Sequence, residues 1–450
     1  MRPVTLAAPG GVADDPLGLV AHSDPLREAL SQEMHLRRLP RFAAPARLLQ
    51  VVLRLDEAGL GASSAQVDAL RPRDASPLPH NARHALFALG PLQVVWERHA
   101  EFATYGFLLA GDFTDAFGVE AFAAARAVIA DMPATVIRAT LVALLPAGSE
   151  EAGARIATSR FGADGLVTCD VAGGRARIWS DFRLGGGGLG RLLIVDRGLA
   201  GDEPAQLVQR LQELGNYRNM ALLGLPMAQR LTPELARLEQ RLAALTALVA
   251  EPGSPDDPLL DELTFLSAEL ARLLAETRYR MSATQAYATI VEERLASLDV
   301  TPLPGHQTLT EFTDRRLMPA VRTCATVSAR LEDLSQRAAW TSSLLRTRID
   351  TSLARQNRDL LDSMDRRTRL QLRLQQAVEG LSVVAISYYL IALLDHVLRP
   401  VPRIDHDIAL AVAAPLVMVL VAALLVRFRR RVAEPPSHRD DPGTKPLLPD

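Results

Sequence analysis

The chain has 450 residues, a formal net charge of −2 and 48% hydrophobic residues. That length leaves room for two or three domains, and the near-neutral charge gives no general pull toward nucleic acid. Two cysteines, Cys169 and Cys324, lie far apart in neither a metal nor a redox spacing, which suits a reducing compartment.

Residues 1–23 are rich in Ala, Gly and Pro and read as a flexible arm without the apolar core of a cleavable signal peptide. Asp24 then offers an N-cap, with Pro25 as the first helical residue. His35, Arg37, Arg38 and Arg41 follow as a basic turn. It reads as a solvated corner before an anion site. Strand patterns come next. Arg47 to Leu55 is rich in Leu and Val, and Leu92, Val94 and Trp96 alternate with Gln93, Val95 and Glu97. Val136–Leu145, Leu166–Val171, Arg175–Phe182 and Arg191–Asp196 complete the set, with Gly173-Gly174 as a two-residue hairpin turn. A helical pattern covers Phe117–Met132. These elements predict an α+β cytosolic domain over residues 24–202.

From Glu203 the strand patterns stop. Leu207, Leu211 and Leu214 mark a first helix, and Pro226 and Pro233 punctuate. Leu235, Leu238, Leu242 and Leu245 mark a second, ended by Pro252-Gly253-Ser254-Pro255. Asp257–Leu298 is a third, ended at Thr301–Gly305, and a fourth starts near Thr308. Short Pro/Gly turns predict antiparallel packing, so residues 203–376 read as a helical stalk domain. Leu345, Ile349, Leu353, Leu360 and Met364 give it a coiled-coil seam, interrupted by Gln356 and Asn357. Polar residues in such a seam often set register or oligomeric state, so a homo-oligomer is expected.

Ile408 to Val426 is uncharged throughout. As a helix it is about 28 Å long, close to the ~30 Å hydrocarbon core. Pro415 is tolerable there because neighbouring helices can satisfy the freed carbonyl. Gly380 to Leu394 is a shorter uncharged run, extended by its flanks. Together they predict a two-span transmembrane hairpin over residues 377–427, with the bilayer as partner and 428–450 as a disordered cytoplasmic tail. Arg366, Arg367, Arg369 and Arg373 precede the hairpin, and Arg427, Arg429, Arg430 and Arg431 follow it. The positive-inside rule then places both termini in the cytoplasm.

Several stretches carry a resemblance. They are Asp24-Pro25-Leu26-Arg27 with Glu33 and His35, Trp96-Glu97-Arg98-His99 with Glu101-Phe102, and Trp179-Ser180-Asp181-Phe182-Arg183. Asp196-Arg197-Gly198-Leu199 and Val378-Glu379-Gly380-Leu381-Ser382 with Tyr388-Tyr389 complete them. The chain resembles a bacterial family of uncharacterised membrane-anchored proteins, the domain of unknown function numbered thirty-four twenty-two. The resemblance implies a multi-pass protein of the bacterial inner membrane and no activity. The glycines from Gly185 to Gly188 depart from that pattern. The layout is also similar to that of CorA-type magnesium channels, which implies divalent cations as possible partners. Their Gly-Met-Asn motif is absent, and the first span here ends Leu393-Leu394-Asp395-His396.

Candidate sites are few. Glu97, His99 and Glu101 are two apart and share a face on a strand, which suits either a metal or plain solvent exposure. The solvent side is the simpler account, and no metal site is assigned. Arg98 falls on the apolar face and needs a partner, for which Asp181 is the candidate. The glycine run feeds a strand pattern and no lysine follows, which excludes Walker-type chemistry. Gln371, Gln375, Glu379 and Ser382 fall on one helical face and form a candidate interhelical or pore stripe. No catalytic motif or cofactor site is found. The expectation is a non-enzymatic, membrane-anchored sensing or interaction module, with a CorA-like cation channel as the alternative.

Overall fold

The structure, a computed structural model, describes residues 24, 26–27, 39–72, 78, 82–132, 134–162, 165–398 and 406–432. The expected arm, the side chains of His35, Arg37 and Arg38, and the tail beyond residue 432 lie outside these. By contacts the chain divides into two units, Met1–Ser342 and Ser343–Asp450.

The first unit is built on a sheet. Strand β1, Ala46–Arg54, is buried at every position but the last. Its unbroken Leu/Val run marks a central strand covered on both faces. Asp56 caps helix α1, Glu57–Leu70, by accepting from the Gly59 N–H at 2.8 Å. Strands β2 (His84–Leu89), β3 (Leu92–Arg98) and β4 (Phe102–Ala110) form a meander. The expected helix from Phe117 to Met132 is shortened to a 3-10 turn at Glu120–Phe122 and helix α2, Ala123–Ala130. Strand β5 (Thr135–Leu145), helix α3 (Glu150–Arg160) and strands β6 (Val167–Val171), β7 (Ala176–Ser180) and β8 (Gly190–Asp196) follow.

Gly173 and Gly174 have φ of 66° and 83°, as a tight turn between β6 and β7 requires. With β9, Thr301–Pro302, the strands form one sheet ordered β2-β3-β4-β1-β5-β8-β7-β6-β9. Among the named ladders only β5–β8 is parallel. A parallel pair cannot close through a tight turn and needs a crossover, which α3 begins. The domain is therefore an α/β sheet, mostly antiparallel with one parallel crossover, where an α+β layer was expected.

Helices α4 (Glu203–Leu222), α5 (Gly224–Ala250), α6 (Asp256–Ala296) and α7 (Leu309–Leu398) complete this part of the chain. Pro226 and Pro233 do not break α5. Pro226 lies in its first turn, where the backbone N–H has no helical partner anyway, and Pro233 is carried inside. Leu231, Leu235, Leu238, Leu242 and Leu245 of α5 are buried at alternating steps of four and three. Leu259, Leu263, Leu266, Leu270 and Leu273 of α6 repeat that pattern, as do Val327, Leu331, Leu334, Ala338 and Thr341 of α7. Such spacing gives coiled-coil-like packing.

Arg241 pairs with Glu262 and Arg230 with Glu276, so α5 and α6 run antiparallel. Arg330 pairs with Glu239, while Thr341 and Thr246 hydroxyls meet at 3.1 Å, so α7 runs parallel to α5. Gly224 is where three helices approach. A Cβ there would overlap the Thr284 hydroxyl of α6 and lie 3.2 Å from Cys324 Sγ of α7. One face of the sheet packs on α1 and α2 through Val67, Phe122 and Val128. The other packs on α4, α6 and α7 through Leu207, Leu211, Val291 and Leu317.

The second unit holds α7 from Ser343 and helix α8, His406–Val432. Both helices contain segments long and apolar enough to cross a membrane, with mean hydropathy of 1.9 and 2.5.

Candidate functional site

The sequence-predicted residues end up in separate places. Arg98 Nη1 donates to Ser64 Oγ at 3.4 Å. Asp181 instead accepts from the backbone N–H groups of Gly162 and Arg183, and its Oδ2 lies 3.9 Å from Arg191 Nη2. The expected Arg98–Asp181 pair is thus not formed. The reason is topological: β3 and β7 are separated in the sheet by β4, β1, β5 and β8.

Glu97, His99 and Glu101 do not share one strand face, because β3 ends at Arg98 and the chain turns before β4. Their side chains are 15%, 13% and 8% exposed, so they are not simply solvated. The His99 ring stacks on Phe102 at 4.1 Å. Glu101 is taken by Arg280 of α6. Among the described residues no cluster of three or more His, Cys, Asp or Glu side chains suits a metal ion. In the second unit Gln371 and Gln375 are exposed and Glu379 and Ser382 half-buried, with Gln375 Nε2 donating to Glu379 Oε1 at 3.3 Å.

The chemistry lies elsewhere, in a cavity of about 290 Å³ between the sheet and α4. Arg138 and Arg218 bring guanidiniums to it, Arg191 borders it, and none of its lining residues is acidic.

Arg138 comes from β5. The β1–β5 register shifts between Val52 and Leu53, which leaves Ile137 as an extra residue. Such a bulge re-aims side chains, and here Ile137 and Arg138 both line the cavity. Arg138 Nη1 lies 3.0 Å from Gln50 Oε1, 2.7 Å from Gln212 Oε1 and 2.7 Å from Asn216 Oδ1. All three acceptors are neutral. Gly215 makes the room, since a Cβ there would sit 2.6 Å from Arg138 Nη2.

Arg218 comes from α4, at the position that follows Leu211 and Leu214 on the apolar face. Its guanidinium stacks 4.7 Å from the Phe182 ring, which itself stacks on Phe312 of α7 at 4.4 Å. Its buried Nη1 has no hydrogen-bond partner among the described residues. Arg191 is the second residue of β8, and its side chain takes the opposite face of the sheet. Its guanidinium lies 5.6 Å from the Phe161 ring and 5.9 Å from the Phe117 ring, with Asp181 Oδ2 3.9 Å away, while the neighbouring Leu192 and Ile194 pack on the α4 side. The guanidiniums of the cavity are therefore those of Arg138 and Arg218.

The electrostatics follow from this geometry. Burial pulls the Arg138 guanidinium down to about 9, and the like charge of Arg218 adds to it. Burial alone pulls Arg218 down to about 10. Both stay cationic in the neutral range, so the depression measures how poorly their charge is compensated. Unpaired N–H groups, planar guanidiniums and an apolar wall can hold an anion.

The glycine run borders the same cavity. Leu184, just before it, lines the cavity while being 75% exposed, and so marks the mouth. Gly185 packs on Arg191, where a Cβ would lie 3.3 Å from Cζ. The loop thus approaches a cation without feeding a helix.

The family described as "Protein of unknown function (DUF3422)" matches residues 22–432. The chain belongs to this family. No curated protein and no solved structure matches the chain. The DUF3422 match covers both the arginine-lined cavity and the two apolar helices, and it assigns an activity to neither.

Proposed function

We propose that this DUF3422 chain is a membrane-anchored, non-enzymatic binding module whose cytosolic domain takes an anionic ligand in the Arg138–Arg218 cavity. The single observation that carries this is the buried Nη1 of Arg218, unpartnered beside the Arg138 guanidinium in a cavity with no acidic lining residue. A buried cation without a counter-ion is costly, and an anion would relieve that cost. The lining hydroxyls of Thr140 and Ser180 have no histidine or carboxylate beside them in the lining to act as a base, which favours binding over chemistry.

The two apolar helices act as a two-span hairpin in a bacterial inner membrane, with both termini cytoplasmic because arginines flank the pair. The segment of α7 before the membrane serves as a stalk and pairs with further copies of the chain. Leu353, Leu360, Leu374 and Leu381 support this reading, being exposed and spaced seven or fourteen apart, as a coiled-coil seam requires.

The test is ligand-linked stability. Inorganic phosphate added to the purified full chain should raise its unfolding free energy by about 2.7 kcal/mol at a concentration one hundred times the Kd. Chloride at equal ionic strength should not. Equal effects of the two salts would remove the site.

One observation favours a second reading, a cation channel. Helix α7 runs unbroken from Leu309 to Leu398 and carries Gln371, Gln375, Glu379 and Ser382 into its apolar segment. A ring of such groups around a symmetry axis would attract cations. Cation uptake into proteoliposomes that is present in wild type and changed in Glu379→Gln would move the assignment to that reading. Uptake at background in both removes it.

A further inference from the structure

The cavity has more than a cationic floor. A cavity of about 150 Å³ lined by Leu, Ile and Phe holds benzene. This one is about 290 Å³, which exceeds what a bare inorganic anion fills. Ile178, Leu192, Leu211, Leu214 and Leu309 supply an apolar wall beside the guanidiniums. A small inorganic anion would leave that wall against water, whereas a ligand with an apolar body would cover it.

The charge count narrows the head group. Two guanidiniums, those of Arg138 and Arg218, with no acidic residue in the lining, give a local charge of two positive units. A phosphate monoester carries about −1.5 to −2 near neutral pH, whereas a carboxylate carries −1. Guanidinium forks also match phosphate oxygens in pairs. Thr140 and Asn219 add neutral groups that can bond a remaining oxygen.

We infer that the cavity takes an amphipathic phosphate monoester, its dianionic head held by Arg138 and Arg218 and a short apolar body laid against Ile178, Leu192 and Leu214. The inference rests on the anion-binding reading above and adds the apolar body and the charge of the head. Such a ligand has two sources, a soluble alkyl phosphate or the head of a bilayer phosphatidate. Leu184, exposed at the mouth, is where a longer chain would leave the cavity.

The experiment is calorimetric titration of the full chain in phosphatidylcholine nanodiscs, with inorganic phosphate, hexyl phosphate and hexanoate as probes. Two buried methylenes suffice for roughly a tenfold gain in affinity. Hexyl phosphate should therefore bind at least tenfold tighter than inorganic phosphate, and hexanoate should bind more weakly than hexyl phosphate. Arg218→Gln should weaken hexyl phosphate at least tenfold while leaving the far-ultraviolet spectrum unchanged. Equal affinity for hexyl phosphate and inorganic phosphate would overturn the apolar body but leave the anion site standing. Hexanoate binding as tightly as hexyl phosphate would overturn the dianionic head. Binding of none of the three would overturn both this inference and the reading beneath it. Loss of hexyl phosphate binding when phosphatidate is added to the nanodiscs assigns the bilayer as source, and unchanged binding assigns the soluble ester.

Discussion

Glu101→Ala is expected to destabilise the first unit by about 3–5 kcal/mol, because it leaves a buried guanidinium without its carboxylate. Arg280 of α6 reaches the turn between β3 and β4, where its Nη1 donates to Glu101 Oε1 at 3.0 Å and its Nη2 to Oε2. The two side chains are only 17% and 8% exposed, so solvent screens the pair little. The pair ties α6 to the sheet, and Tyr287 of the same helix also bonds to Glu101. Chemical denaturation of the full chain would show the effect as a lower midpoint for the sheet-domain transition.

Arg280→Met in the same chain should restore part of the loss, since the orphaned charge is then gone too. Burial drives the Tyr287 hydroxyl well above its ordinary range, and the charge of Glu101 adds to this. A raised acid pKa stabilises the fold below the unfolded value near 10 and loses that stabilisation as pH rises past it. Wild type should therefore weaken above about pH 10, and Glu101→Ala should weaken less steeply. A Glu101→Ala midpoint indistinguishable from wild type would mean that the pair holds nothing together.

The elements that were legible in the sequence owe their form to local periodicity. The Leu spacing of α5 and α6 declares their buried faces, and the uncharged run from Ile408 declares α8. Gly173-Gly174 declares its turn because both residues must take positive φ. The sites were not legible, because their partners are distant in the chain. Glu101 and Arg280 are 179 residues apart, and Arg138 and Gln50 are 88 apart. No local pattern reports which strands become neighbours.

Even so, three signals were present. The reasoning that marked Arg98 as a cation on an apolar face applies equally to Arg138, which by period two shares a face with Val136, Thr140 and Val142 in β5. It applies to Arg218 beyond Leu211 and Leu214. In α4, Gln212, Gly215, Asn216 and Asn219 share one face at steps of three, one and three. Three amides and a glycine on the buried side of a helix report a polar group lodged beneath it. Here that group is the Arg138 guanidinium.

Arg218→Met is expected to raise the stability of the ligand-free protein while abolishing its response to phosphate. Two terms oppose each other. Removing the charge relieves the cost of burying an ion, which is several kcal/mol. It also forfeits the stacking on Phe182, worth about 1–2 kcal/mol for a desolvated cation over an aromatic ring. Met is flexible and apolar and can occupy the same groove, so no large void is left. Since Arg218 makes no bond to a carboxylate among the described residues and its Nη1 is unpartnered, its removal orphans no carboxylate. The first term should win, by about 1–3 kcal/mol.

Arg138→Met should behave in the opposite way, because Gln50, Gln212 and Asn216 would each lose a donor, at about 1–3 kcal/mol for a buried group left unsatisfied. The contrast separates a cation kept for a ligand from one that also organises the fold. Functional sites commonly hold groups that the bare fold would be more stable without. Thermal unfolding of both variants, with and without phosphate, reads all four quantities. An Arg218→Met protein that melts below wild type and still gains stability from phosphate would show that Arg218 is a packing residue and that the anion binds elsewhere.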